Sequence, residues 1–463
     1  MARRKSNTSR DRQRNPRNKN THIDIKSNRP SSSSRKRSER KRKQRQRKFI
    51  RRRIILALIF LSLLFLIINK ISNAINSYKV MGYPDFRDEV YESMGNEVFI
   101  SPSDGRSLST GEKITDFDNF YEIIARNYAV DDLNREDFEN FMNSYQEYRK
   151  KVYTTKTDQE YFQILNQYLD ILDDTRTFIL DKETYDSLFN YHRNQTNSVY
   201  KEVLENPQAV NRYKRLIQGQ NTSKASMALS LDSENVLRIS LPDFKADEFN
   251  KDLDELNNLL ISGPHIGTFI IDLRDNNSID TTYRNKLLEI LLHENYSESN
   301  LIYYRGNIFD KTLGLIKENE EDYYKTAHIK NDASKSDNQV DNIKLDDYTY
   351  YDELSLDIEK NQDYSNRNIY VLTNENTANE AIKLAQILQN DGAYVVKDGL
   401  ESGITYKDVI YNAPSDLIIL EHSGLIMSLN SSYSKNPEES RYLNYDQKIN
   451  SKDPVLSILN IIN

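Results

Sequence analysis

The stretch from Asn368 to Gly403 constrains the fold of this chain most. Ile369-Tyr370-Val371-Leu372 is a short apolar run of β-forming residues, and Thr373 to Thr377 is polar and turn-like. From there apolar residues recur at helical spacing, at Ala378, Ala381, Ile382, Ala385 and Leu388. Asn390-Asp391-Gly392 ends that helix, with Gly392 suited to a left-handed cap. Ala393-Tyr394-Val395-Val396 reads as a second strand, and Gly399 and Gly403 mark the loop after it. Such a unit predicts parallel strands, with its first turn at the C-terminal edge of the sheet, where ligands bind. The residue at the head of the helix is Asn379.

The same alternation appears upstream. Met227–Leu231 and Val236–Leu241 predict a hairpin, Phe249 to Leu260 a helix, Gly267–Arg274 a buried strand, and Tyr283 to Leu292 another helix. Asp275-Asn276-Asn277-Ser278 is a polar turn between the last two. This βαβ periodicity predicts an α/β core over 226–463 with a parallel or mixed sheet. Residues 317–367, rich in Asp, Asn, Lys and Tyr, read as an insertion or long loop. Leu417–Leu420 and Leu425–Leu429 predict strands, and Asp453–Leu459 a closing helix. Ahead of the core, aromatic stripes at Phe117, Phe120 and Tyr121, at Phe138, Phe141 and Tyr145, and at Tyr161, Phe162 and Tyr168 predict three helices. They belong to a helical cap over 116–225.

The N-terminal end differs in kind. Residues 1–53 hold 23 Lys and Arg against 3 Asp and Glu, leaving 41 against 67 in the rest of the chain. With almost no apolar side chains, this arm reads as disordered. The uncharged run Ile54–Ile68 follows, and Ile71, Ala74 and Ile75 continue its apolar stripe past Asn69 and Lys70. Fifteen residues reach only about 22 Å, so a span of a hydrocarbon core of about 30 Å needs 54–75. The basic flank then predicts a cytoplasmic 1–53 and an extracytoplasmic 76–463, with 76–115 as a juxtamembrane connector. The arm fits anionic lipid or an acidic partner. It lacks the aromatic interleaving of a specific nucleic-acid binder.

No Cys is present, which removes disulfides and thiolate metal sites. With 13 Gly in all there is no phosphate-binding loop, and no His pair has zinc spacing, so neither a cofactor nor a metal is implied. The acidic clusters at Glu318–Asp322 and Asp346-Asp347 read as solvated faces.

Four segments in order resemble the C-terminal processing peptidases, the tail-specific, tricorn-core-like serine peptidases of bacteria. They are the turn Leu172-Asp173-Asp174-Thr175-Arg176-Thr177-Phe178, the strand Leu237-Arg238-Ile239-Ser240-Leu241-Pro242-Asp243-Phe244, the strand and turn Ile270–Arg274 with Asn276, and Tyr370–Ala385. Lys452-Asp453-Pro454-Val455-Leu456 matches the closing helix. The resemblance covers about 116–463 and implies a ClpP/crotonase-like α/β core that takes an extended peptide or unfolded protein segment.

The departures fall on the chemistry that the resemblance implies. Where the family has its serine nucleophile this chain has Asn379, which cannot form an acyl-enzyme. The base of the tricorn-like branch is replaced by Arg176, which stays protonated. In the lysine branch the expected region is Leu400–Thr405, with Lys397 and Lys407 out of register. The glycine turn for the oxyanion is Asn277-Ser278 or lies next to it. The expected cleft is lined by Arg176, Arg274, Asn276, Asn277, Ser278 and Asn379, with Arg176 and Arg274 holding a peptide carboxylate. The expectation is a non-catalytic, membrane-anchored peptide- or protein-binding pseudopeptidase. Two alternatives stand beside it: an active peptidase that uses Thr377 or Ser402, and a structural envelope protein that acts through its basic tail.

Overall fold

The chain divides into two compact units, Met1–Ile71 and Ser72–Asn463. The computed structural model describes residues 98–100 and 107–462, apart from residues 196–197, 199, 219–223, 264, 319–322, 328–332, 334–342, 362–366, 400–404 and 436–439. The basic arm and the expected span at 54–75 therefore lie outside the described residues. Among the described residues no helix is long and apolar enough to cross a membrane.

The short strand β1 (Val98–Ile100) is followed by the helices α1 (Thr110–Asn127), α2 (Arg135–Thr154) and α3 (Asp158–Leu169). Helix α1 begins at Thr110, seven residues before Phe117, the first residue of its apolar stripe. Ser109 and Glu112 close a capping box there, so the polar first turn is held by its own cap. Thr157 and Glu160 do the same for α3. The stripes meet face to face: Phe141 stacks on Tyr168 at 4.1 Å between ring centres and Tyr121 on Tyr145 at 4.0 Å. Next come β2 (Phe178–Ile179), α4 (Lys182–His192), α5 (Lys201–Leu204), α6 (Pro207–Tyr213) and β3 (Leu216–Gln218), which pairs with β1.

The core follows, with β4 (Ala228–Ser233), β5 (Val236–Ser240), α7 (Phe249–Ser262), β6 (Thr268–Asp272), α8 (Thr281–Leu291), β7 (Tyr296–Tyr304), α9 (Phe309–Glu318), β8 (Tyr324–Thr326) and β9 (Tyr350–Ile358). The opening stretch is β10 (Asn368–Asn374), α10 (Glu380–Asn390) and β11 (Tyr394–Asp398), with Gly392 at φ +104° as the cap requires. Strands β12 (Asp416–Ile419), β13 (Ile426–Leu429), β14 (Ser432–Lys435) and β15 (Gln447–Ile449) lead to α11 (Pro454–Ile462).

The main sheet has the order β15-β11-β10-β6-β5-β4. Every pair in it is parallel except the β4–β5 hairpin. Both faces are covered, which is why its inner strands read as unbroken apolar runs. Phe269, Ile271, Val371 and Val395 face the cluster that holds α7, α8 and α10. Ile270, Leu372 and Val396 face the opposite way, against Val455 and Ile458 of α11. Each such side chain contributes about 1.5–3 kcal/mol on burial.

Two expectations about organisation are corrected. Residues 350–358 are not loop: β9 pairs with β7 over its whole length and with β8 in a four-stranded sheet. Leu354, Leu356 and Ile358 point inward between Glu353, Ser355 and Asp357, a two-residue period set inside a polar segment. The cap, for its part, is not contiguous in sequence. Leu417, Leu420, Ile426, Met427 and Leu429 of the β12–β13 hairpin join the cluster of Phe117, Phe120 and Tyr168, and Met427 pairs with Ile179.

Candidate functional site

Three turns meet above the C-terminal ends of β6 and β10: Asp173–Thr177, Asp275–Ser278 and Asn374–Asn379. Each contains one residue other than glycine at positive φ, namely Asp173 (+45°), Asp275 (+60°) and Asn379 (+54°), and these are the three such residues among those described. A non-glycine residue held in this way costs about 1–3 kcal/mol, and such strain clusters at functional sites. Asn379, at ψ −123°, makes the sharpest bend, directly before α10.

The turns are laced by side chains. Asp275 Oδ1 accepts from the amides of Asn374 and Asn376, each at 2.9 Å, and these two bonds lower its carboxyl below the usual range. Asn276 is fully buried: its amide donates to Leu241 O at 2.8 Å, and its side-chain oxygen accepts the Ser278 N–H at 3.0 Å. Thr377, 1% exposed, donates its hydroxyl to Leu273 O at 2.9 Å and accepts the Asn374 N–H. Its hydroxyl is therefore engaged both as donor and as acceptor within the turn. Ser402 lies outside the described residues.

Asn379 is also fully buried. Its amide nitrogen donates to Asn277 O at 2.8 Å and to Thr175 O at 3.1 Å, and its oxygen accepts from the Thr175 hydroxyl at 3.1 Å. The next backbone N–H, that of Glu380, donates to Ser278 O at 3.1 Å. In a nucleophile elbow this N–H is an oxyanion donor. Here a carbonyl of the chain occupies it.

Arg176 is corrected as a cleft residue. It is buried, donates to Ser415 Oγ at 2.7 Å and to Ala413 O, and lies over the Tyr411 ring. Its guanidinium pairs with Glu380 at 3.3 Å, and Glu380 pairs in turn with buried Arg284. No carboxylate from outside reaches it. Arg274 is held by both oxygens of Asp272, at 2.8 and 2.6 Å, while keeping part of its surface exposed. Lys397 is buried against Asp408 at 2.7 Å, and Lys407 donates to Asn376 at 3.3 Å. His293 bonds Asp391 at 2.7 Å, at the end of α10 opposite the elbow.

Of the six expected lining residues, Asn277 and Ser278 face an open space. It is a cleft of about 910 Å³ between the cap and the core turns, and Thr175, Thr177, Asp243 and Asp280 also line it. Sequence reasoning missed Thr175, Glu380, Arg284 and Asp243. Glu380 gave little sign in the sequence, because a carboxylate in the first turn of a helix is ordinary.

No protein-family model matches this sequence, and no curated protein matches it. Over about three quarters of its length the chain is similar to several solved structures. One is a protein of Parabacteroides merdae provisionally described as a peptidase, with 15% identity, a TM-score of 0.41, and coverage of 76% of this chain and 95% of that one. A lipoprotein from Streptococcus agalactiae aligns at 14% identity and TM-score 0.38, covering 76% and 95%. The photosystem II D1 C-terminal processing protease aligns at 9% and 0.34, covering 73% and 93%.

Proposed function

We propose that this chain is a non-catalytic relative of the tail-specific serine peptidases that binds an extended peptide or unfolded protein segment, held by one span at the outer face of a bacterial membrane. One observation carries the reading: at the elbow, a buried Asn379 spends its whole amide on Thr175 and Asn277 while Ser278 O fills the Glu380 donor. A hydrolase needs a nucleophile with a base and an unoccupied donor for the developing oxyanion. The elbow has the turn without these parts. The adjoining cleft keeps the concavity of a binding site. The apolar run at 54–75 supports the anchor, and the basic arm supports contact with anionic lipid.

The test uses the full chain in detergent, exposed to a fluorophosphonate probe and to unstructured peptides. The expected result is peptide binding with neither covalent labelling nor cleavage. Labelling or cleavage that disappears on Ser402→Ala would overturn the reading.

A further inference from the structure

The cleft has a one-sided charge. Asp173, Asp174, Asp181, Asp243 and Asp280 line it, and Lys224 is the one cation among its described lining residues. Most of these carboxylates are already engaged. Asp181 caps α4 through the Thr184 N–H at 2.7 Å. Asp280 caps α8 through the N–H groups of Thr282 and Tyr283 and also accepts from Ala246 N–H at 2.8 Å. Asp174 accepts from the Arg176 N–H and the Thr177 hydroxyl, both at 2.8 Å.

Asp243 is different. Its hydrogen bond comes from the N–H of the next residue, Phe244, at 2.9 Å. Lys224 donates to Asp275 O, and Lys245 to Glu183 and Lys224 O, so neither neighbouring cation hydrogen-bonds Asp243, although both act on it through space. Burial pushes the Asp243 carboxyl up to about 7 against the pull of Lys245 and Lys224, with Asp181 adding to the rise. Asp243 is partly buried and opens on the cleft, so its carboxylate is partly withdrawn from water without a bonded cation, and an incoming cation offsets that cost. At about 910 Å³ the space is near the top of the roughly 300–1,000 Å³ range of ligand pockets.

We infer that the cleft selects peptides that carry a cationic side chain, Lys or Arg, with Asp243 as the anionic anchor. The inference rests on the peptide-binding reading above and adds the class of peptide to it.

The test measures fluorescence anisotropy with the full chain at about pH 8, above the Asp243 value. The probes are two short end-blocked peptides that differ only in one central residue, Lys or norleucine. The Lys peptide binds more tightly by about fivefold or more. Asp243→Asn removes the preference, and Lys224→Gln, at an exposed position, enlarges it. A preference that persists in D243N, or equal binding of the two peptides, overturns the cationic selection and leaves the peptide-binding reading standing. Failure of both peptides to bind overturns the two together. If D243N loses its fold by circular dichroism, K224Q decides: an unchanged preference there refutes the inference.

Discussion

Asn379→Ser puts a hydroxyl at the head of α10, and we predict that it yields a weaker protein and no enzyme. The amide makes three hydrogen bonds, two of them to the carbonyls of Thr175 and Asn277. Serine reaches at most one of these partners. At about 1 kcal/mol for each lost bond, and more for a carbonyl left bare, the loss is about 2–4 kcal/mol. For a body of this size that lowers the unfolding midpoint by about 3–6 °C. The groups that the amide touches are the Thr175 hydroxyl and the Thr175 and Asn277 carbonyls, none of which is a base for a serine proton. Differential scanning fluorimetry reads the first effect and fluorophosphonate labelling the second. An N379S protein that keeps its midpoint and takes up the probe would refute the account of the elbow as a closed polar junction.

Two further outcomes follow from buried groups. Glu380→Ala strands Arg176 and Arg284 without their shared carboxylate, both 2% exposed or less, and costs about 3–5 kcal/mol in a denaturant titration; unchanged stability would mean that the two arginines find other partners. His192 is buried and bonded to Ser198, and burial lowers its imidazole from 6.5 to about 4. Because the folded value is the lower, its contribution is complete above about pH 6.5 and is lost as the pH falls toward about 4. The wild type should lose about 3 kcal/mol through that window on this account, and His192→Gln should lack that part of the slope.

The main sheet was legible because its chemistry is local. Ile369–Leu372, the apolar spacing from Ala381 to Leu388 and the cap at Gly392 each state their own conformation. The place of Asn379 was legible for the same reason. Its surroundings were not, because they depend on pairings far apart in sequence. Arg176 and Glu380 are 204 residues apart, and neither neighbourhood signals the other. Arg176 read as a free cation because isolated sequence cannot distinguish a solvated guanidinium from one under an aromatic ring. Strand β9 was obscured for another reason. Its inward face begins with Asp352, and a carboxylate at a core position masks the two-residue period that Leu354 and Leu356 continue.

The hairpin β12–β13 sets an order of events on the growing chain. The aromatic faces of α1 and α3 and strand β2 leave the ribosome early, yet the side chains that complete their core arrive with residues 417–429. Translation at about 5–20 residues per second puts about 12–50 s between Ile179 and Leu429. Through that interval Phe117, Phe120 and Tyr168 are without part of their permanent cover. Any chain cut short before Leu417 lacks those side chains and leaves the aromatic face of the cap without part of its apolar cover.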